Sequence, residues 1–146
     1  MLSSTCKYGI RAIVYIAVKS KNQDKIGIRR ISEDLKLPMP FLAKILQSLA
    51  RKKILESSKG PNGGFSLTRR PDEISLLEVA KAIDGNDLFS RCVLHNENCK
   101  SFDDTKIACT LHSDYVKARR RMEKVFESKT IQHLVISAKN TDEILI

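Results

Sequence analysis

Four residues between positions 92 and 112 carry donor atoms suited to soft-metal chemistry. Cys92, Cys99 and Cys109 stand in the spacing C-x6-C-x9-C, and His112 follows the third thiol by three residues. Thiolates and imidazoles bind iron and zinc strongly, and exposed thiolates are also oxidised reversibly. The spacing alone does not separate a metal site from a loop that contains thiols. Structural zinc sites commonly use closely paired cysteines, and no such pair occurs here, so a structural zinc adaptor is the weaker alternative. Cys109 and His112 could be a nucleophile and its base. No oxyanion site or substrate pocket is legible beside them, and aromatic residues are only 5% of the chain. No enzyme is expected.

What a thiol site would serve depends on the remaining sequence. The chain has 146 residues and a net charge of +9, and the charge is unevenly placed. Residues 1–70 hold 15 Lys and Arg against 4 Asp and Glu, whereas residues 71–146 hold 11 against 13. Such asymmetry points to a polyanionic partner for the first half, nucleic acid or an anionic membrane surface. No apolar run approaches the roughly 20 residues of a membrane span. The apolar stretch from Gly9 to Val18 contains Arg11 and has no cleavage pattern behind it, so it reads as a helix rather than a signal peptide. A cytoplasmic chain is expected. Its reducing surroundings disfavour disulfides and favour metal or redox roles for cysteine.

The elements that must position these residues follow from periodicity. A first helix runs from Ser3 or Ser4 to about Ser20, with Ile10, Ile13, Val14 and Ala17 at helical spacing. A polar loop at 21–25 leads to a second helix, Ile28 to Leu35, with Arg29 and Arg30 outward. After a turn at Leu37–Met39, a third helix starts at Pro40, where the missing N–H does no harm. Phe41, Leu42, Ile45 and Leu49 face inward; Ala43, Lys44, Gln47 and Arg51 face outward. This is a helix-turn-helix pattern. The alternating segments 54–58 and 65–69 flank a glycine-rich turn at 59–64, with Asn62-Gly63 as a hairpin signal and Gly63 and Gly64 expected at positive φ. A helix pair followed by such a hairpin is a winged helix.

Ser75-Leu-Leu-Glu78 is a capping box that opens a fourth helix, closed by Gly85. A long helix spans about Thr110 to Ser128. Its residues Leu111, Tyr115, Ala118, Met122 and Val125 repeat at intervals of 4 and 3, an a/d seam that asks for a partner helix. A homodimer would match paired half-sites on DNA. A short helix follows with Ile131, Leu134 and Val135. The fold class expected is mainly α with a small β-hairpin wing. Residues 1–85 form a winged helix-turn-helix domain, 86–109 a cysteine-rich sensor loop, and 110–146 a dimerisation helix and tail.

Several stretches carry a family likeness: Tyr8-Gly-Ile-Arg-Ala12, Ile28-Arg-Arg-Ile-Ser-Glu-Asp-Leu35, Phe41-Leu42 with Ile45-Leu46, and above all the wing Ser58-Lys-Gly-Pro-Asn-Gly-Gly-Phe65. Over nearly its whole length the chain resembles the Rrf-two family of bacterial winged-helix regulators. The resemblance implies a homodimeric transcription factor with swapped long helices on partly palindromic double-stranded DNA. In cluster-binding members three cysteines hold an iron–sulfur cluster, 2Fe–2S or 4Fe–4S, which assigns Cys92, Cys99 and Cys109. In IscR-like members the fourth ligand is a histidine three residues after the third cysteine, which is His112 here. Other members use a carboxylate near the start of the first helix, and Lys7 occupies that place. The second cysteine gap is longer than the family's usual one. A cluster-free regulator answering through thiols, a metabolite or a partner protein is therefore the alternative. Cys6 is expected to be a buried thiol.

On DNA, Pro40, Ala43, Lys44 and Gln47 would face the major groove, Gln47 against adenine and Lys44 against guanine or phosphate. IscR-like members carry glutamate where this chain has Ala43. Lys59, Gly60, Asn62 and Gly63 would enter the minor groove. Lys7, Arg11, Arg29, Arg51 and Lys52 are candidate phosphate contacts. His95 and His133 are assigned no role.

Overall fold

The structure, a computed structural model, describes residues 2–20, 24–92 and 111–141. Helix α1 (Ser4–Lys19) begins where Ser3 accepts a hydrogen bond from the Cys6 N–H at 3.0 Å. Its buried residues include Ile10, Ile13, Val14, Tyr15 and Ile16. They run round more than one face, so the helix has to be enclosed. It is covered by α2 (Ile28–Leu35), α3 (Met39–Arg51), α4 (Leu76–Asp84), α6 (Ile131–Thr141) and the strand β2 (Gly64–Leu67). On the polar side, the Tyr15 hydroxyl donates to the Asp34 carboxylate.

Helix α2 has the expected bounds, with Ile31 and Leu35 buried. Its last carbonyls are closed by Lys36 in the left-handed region at φ 54°. The third helix starts at Met39, one residue before the expected Pro40, because Pro38 serves as its N-cap and Pro40 takes the second helical position. A proline there loses nothing, since the first N–H groups of a helix have no intrahelical partner. Leu42, Ile45, Leu46 and Leu49 bury the inner face.

Strand β1 (Leu55–Ser58) pairs antiparallel with β2, in a register running from Leu55↔Leu67 to Ser58↔Gly64. A third partner joins them. Ile26 and Phe65 exchange two backbone hydrogen bonds of 2.9 Å each. One apolar residue between a polar loop and a glycine carries no alternation, so sequence reading leaves it in the loop. Ser75 caps α4 by accepting from the Glu78 N–H at 3.1 Å. The reciprocal half of the capping box is replaced, since the Glu78 carboxylate pairs with Arg69. Gly85 at φ 75° closes the helix.

Helix α5 (His112–Ser128) divides its expected seam. Met122 packs against the core together with Phe126, a residue outside the 4–3 spacing, and Phe126 meets Phe89 edge to face at 5.9 Å. Leu111 and Val125 stay 50% and 55% exposed. In α6, Ile131 and Val135 are buried. The architecture is a mainly helical winged helix with a two-stranded antiparallel wing, followed by a long helix.

Cys6 is fully buried, as expected. Burial first, and the nearby Asp84 carboxylate second, push its thiol from 9.0 up to about 12. The folded state thus favours the neutral thiol. The stability this supplies is complete below pH 9.0 and is lost as pH rises toward about 12. Urea unfolding should lose about 2 kcal/mol from this thiol between roughly pH 8 and pH 10.5. The variant Cys6→Ala, whatever its baseline stability, should lack that part of the alkaline slope.

Candidate nucleic-acid interface

The outer face of α3 is built by the burial of its inner one. With Leu42, Ile45 and Leu49 in the core, helical geometry sends Pro40, Lys44, Gln47 and Arg51 into solvent, with Ala43 half-exposed beside them. Met39 joins this face, 43% exposed. Sequence reading places it in a turn, because the start expected at Pro40 lies one residue past the observed one. Lys52 and Lys53 follow, both exposed. Lys53 takes φ 58°, the corner from α3 into β1. Its carbonyl accepts from the Thr68 hydroxyl at 2.6 Å, which fixes the base of the wing.

The wing tip presents Lys59, Gly60, Pro61 and Asn62 to solvent. The Gly63 N–H donates to the Gly60 carbonyl at 2.9 Å, so Pro61 and Asn62 are the central residues of the turn. Proline presets the first of these positions. The glycines divide their tasks differently from expectation. Gly64 has the expected positive φ, at 159°, but Gly60, not Gly63, takes the other, at 107°. Gly63 is needed for space, because a Cβ there would lie 2.4 Å from the Ser58 carbonyl oxygen.

The electrostatics of this surface are one-sided. Between Leu37 and Arg70 the single carboxylate is Glu56, and Lys25 pairs with it at 3.1 Å. Lys7, Arg29, Lys44, Arg51, Lys52 and Lys59 are exposed and make no ion pair among the described residues. Arg11 is held further in. Its guanidinium lies 6.0 Å from the Tyr8 ring centre, its buried Nε has no hydrogen-bond partner among the described residues, and Tyr8 packs edge-on against Phe41 of α3.

Of the expected metal ligands, Cys92 is half-buried and His112 is exposed as the first residue of α5. Cys99 and Cys109 lie outside the described residues, as does His95. Among the described residues no three candidate ligands converge. The chain next to Cys92 is tied to α5, since the Arg119 guanidinium donates to the Arg91 carbonyl at 3.3 Å. Lys81 of α4 pairs with Glu123 of α5 at 3.1 Å, beside the contact between Phe89 and Phe126. His133 is exposed, and its ring Nδ1 accepts from the Thr130 N–H at the start of α6.

Residues 2–137 match the model of a known family, Rrf2, described as iron-dependent transcriptional regulators. The chain belongs to the Rrf2 family. It is similar to an HTH-type transcriptional regulator of Aquifex aeolicus, at 29% identity over 92% of this chain and 91% of the other. It is also similar to the HTH-type regulator NsrR of Shouchella clausii, at 25% identity over 99% and 94% of the two chains. Its fold matches that of CymR, the global cysteine regulator of B. subtilis, with a TM-score of 0.73, 18% identity and coverage of 94% and 97%. As an Rrf2 protein the chain is a DNA-binding transcriptional regulator. Among the described residues no helix is long and apolar enough to cross a membrane.

The close approach at Gly63 gives a direct test of the wing. Gly63→Ala would drive a Cβ into the Ser58 carbonyl and the Lys59 carbonyl carbon, which are backbone atoms that cannot rotate away. It should destabilise the fold by about 1–3 kcal/mol in chemical denaturation. Asn62→Ala, at the exposed tip, should stay within about 0.5 kcal/mol of the parent.

Proposed function

We propose that this Rrf2 regulator binds double-stranded DNA as a homodimer and holds an iron–sulfur cluster, 2Fe–2S or 4Fe–4S, through Cys92, Cys99 and Cys109, with His112 as fourth ligand. The observation that carries the DNA reading is the cationic face made by α3 and the wing, whose only carboxylate is paired to one side. In this reading Pro40, Ala43, Lys44 and Gln47 lie in the major groove. Lys59, Gly60, Asn62 and Gly63 lie in the minor groove. Lys7, Arg11, Arg29, Arg51 and Lys52 contact phosphates. The N-terminal end of a recognition helix is the part that meets base edges, and that end of α3 is exposed.

The homodimer is supported by what α5 leaves uncovered. Leu111, Ala118 and Val125 recur at the heptad interval and are exposed, as is Ile136 on α6. A second α5 laid along this stripe would bury it. Residues 110–146 are then the dimerisation region, 1–85 the DNA-binding domain and 86–109 the sensor loop.

Three thiols and an imidazole are the donor chemistry of an iron–sulfur site, and Lys7 supplies no carboxylate to compete with His112. When bound, such a cluster would supply a link between its ligand residues that nitric oxide or oxygen can break. The protein's part is mechanical. Arg119 holds the Arg91 carbonyl, Phe126 meets Phe89, and Glu123 meets Lys81. A displacement of the chain at Cys92 is therefore carried into the angle between α4 and α5. In a dimer that angle sets the separation of the two reading helices, and DNA half-sites have a fixed spacing.

Protein purified without oxygen should carry iron and sulfide and absorb in the visible. Zinc alone would overturn the cluster assignment. A metal-free protein whose DNA affinity responds reversibly to peroxide and reductant would favour the cluster-free regulator. In binding titrations across salt concentrations, Lys59→Ala should weaken affinity and reduce the slope of log affinity against log salt by about one. An unchanged slope would count against wing insertion. Val125→Asp should convert dimer to monomer in sedimentation while leaving the unfolding midpoint of the monomer nearly intact, since the side chain is 55% exposed.

A further inference from the structure

Four large apolar side chains are exposed among the described residues: Met39, Leu111, Val125 and Ile136. Leu111 caps α5, Val125 lies on it and Ile136 on α6, where the proposed dimer would cover them. Met39 stands apart from them, as the first residue of α3. Ala43 follows one turn later and is half-exposed, so the two side chains are neighbours along one edge of the helix. The opposite edge of the same outer face carries Lys44 and Arg51, and Pro40 and Gln47 run between the edges. The face is divided lengthwise into an apolar edge, a middle strip and a cationic edge.

The apolar edge starts in the first turn and reaches the second, at the N-terminal end that meets base edges in a recognition helix. Alanine has no hydrogen-bonding group in its side chain, and the methionine thioether is only a weak acceptor. Pro40 adds no donor either. Base edges facing this turn therefore cannot be distinguished by side-chain hydrogen bonds, and pressing their polar atoms against apolar carbon would leave those atoms unpaired at a cost. The major groove displays one apolar group, the C5 methyl of thymine. A methionine, flexible and polarisable, moulds itself to such a group.

We infer that Met39 and Ala43 form a thymine-reading edge, so that each half-site carries a thymine whose C5 methyl packs on them. This rests on the DNA reading above and deepens it by naming the base class. Gln47, beside this edge, suits the adenine of a neighbouring pair, and an A·T-containing half-site satisfies both.

The experiment uses the full chain. Preferred duplexes are selected from a random pool, and each thymine of the half-site is then replaced singly by deoxyuridine. That exchange removes the methyl and leaves the pairing edge unchanged. At least one position per half-site should lose affinity about fourfold, the worth of one buried methyl group. In Met39→Ala, a substitution at an exposed site, the penalty at one such position should fall toward onefold, while the salt dependence stays that of the parent. Selected half-sites without thymine, deoxyuridine tolerated at every position, or an undiminished penalty in Met39→Ala would each overturn the inference while DNA binding stands. Failure to bind any duplex at low ionic strength would overturn the DNA reading itself, and this inference with it.

Discussion

Helix α1 buries Cys6, Gly9, Ile10, Ala12, Ile13, Val14, Tyr15 and Ile16, residues that occupy most of its circumference. A helix with that distribution is stable in water only when neighbours close round it. The requirement fixes the places of α2, α3, α4, α6 and β2, all of which lie against it. The approach of α4 is close enough that a Cβ on Gly9 would lie 2.3 Å from the Ile83 Cδ1 atom. Once α3 has spent its apolar face on this core, its other face must point outward. The exposure of Lys44, Gln47 and Arg51 is therefore a result of packing and not a separate feature. Tyr15 shows the same constraint at the polar edge. Its hydroxyl reaches Asp34, and burial together with that carboxylate raises the pKa of the phenol, so it remains a neutral donor.

Charge is distributed by the same geometry. Exposed ion pairs contribute little to stability, and those of this chain matter more for where they leave the carboxylates. Glu56 is turned toward Lys25, Glu78 toward Arg69 and Asp72 toward Arg70. Among the described residues, Lys44, Arg51 and Lys59 make no ion pair at the surface that α3 and the wing share. A cation held away from carboxylates keeps its full field for a polyanion, which is how a modest formal charge becomes a directed one.

Local rules made much of this legible in the sequence. Helix α2 and helix α4 have the bounds that their apolar spacing and caps require, because Ile31, Leu35, Ser75 and Gly85 act within one or two turns of themselves. Features set by distant contacts were not legible. Ile26 joins the wing only because Phe65 comes to meet it from far along the chain. Gly63 is fixed by crowding against Ser58, and no turn rule distinguishes that need from a positive φ. Phe126 lies off the seam read from α5, and only the placement of Phe89 reveals why it is apolar. In the candidate site the exposed face of α3 followed from periodicity. Met39 was hidden by a one-residue error at a proline, where two rules compete: the residue before a proline avoids helix, yet a proline fits the first turn. Cys99 and Cys109 lie outside the described residues, so the sequence remains the ground for the ligand set.

The division of α5 bears on how the proposed dimer would work. If all of Leu111, Tyr115, Ala118, Met122 and Val125 faced a second chain, α5 could rotate as part of a separate coiled coil. Instead Met122 and Phe126 are committed to the chain's own core, and Lys81 and Arg119 tie the same helix to α4 and to the peptide before Cys92. Among the described residues, the exposed stripe through Leu111, Ala118 and Val125, together with Ile136 of α6, is left for a partner. One helix would then be shared rigidly between the DNA-binding body and the two-fold contact. Packed interfaces shift between discrete arrangements and do not deform continuously. A change at the Cys92 end would therefore move both reading helices together, and affinity for paired half-sites would respond as a switch.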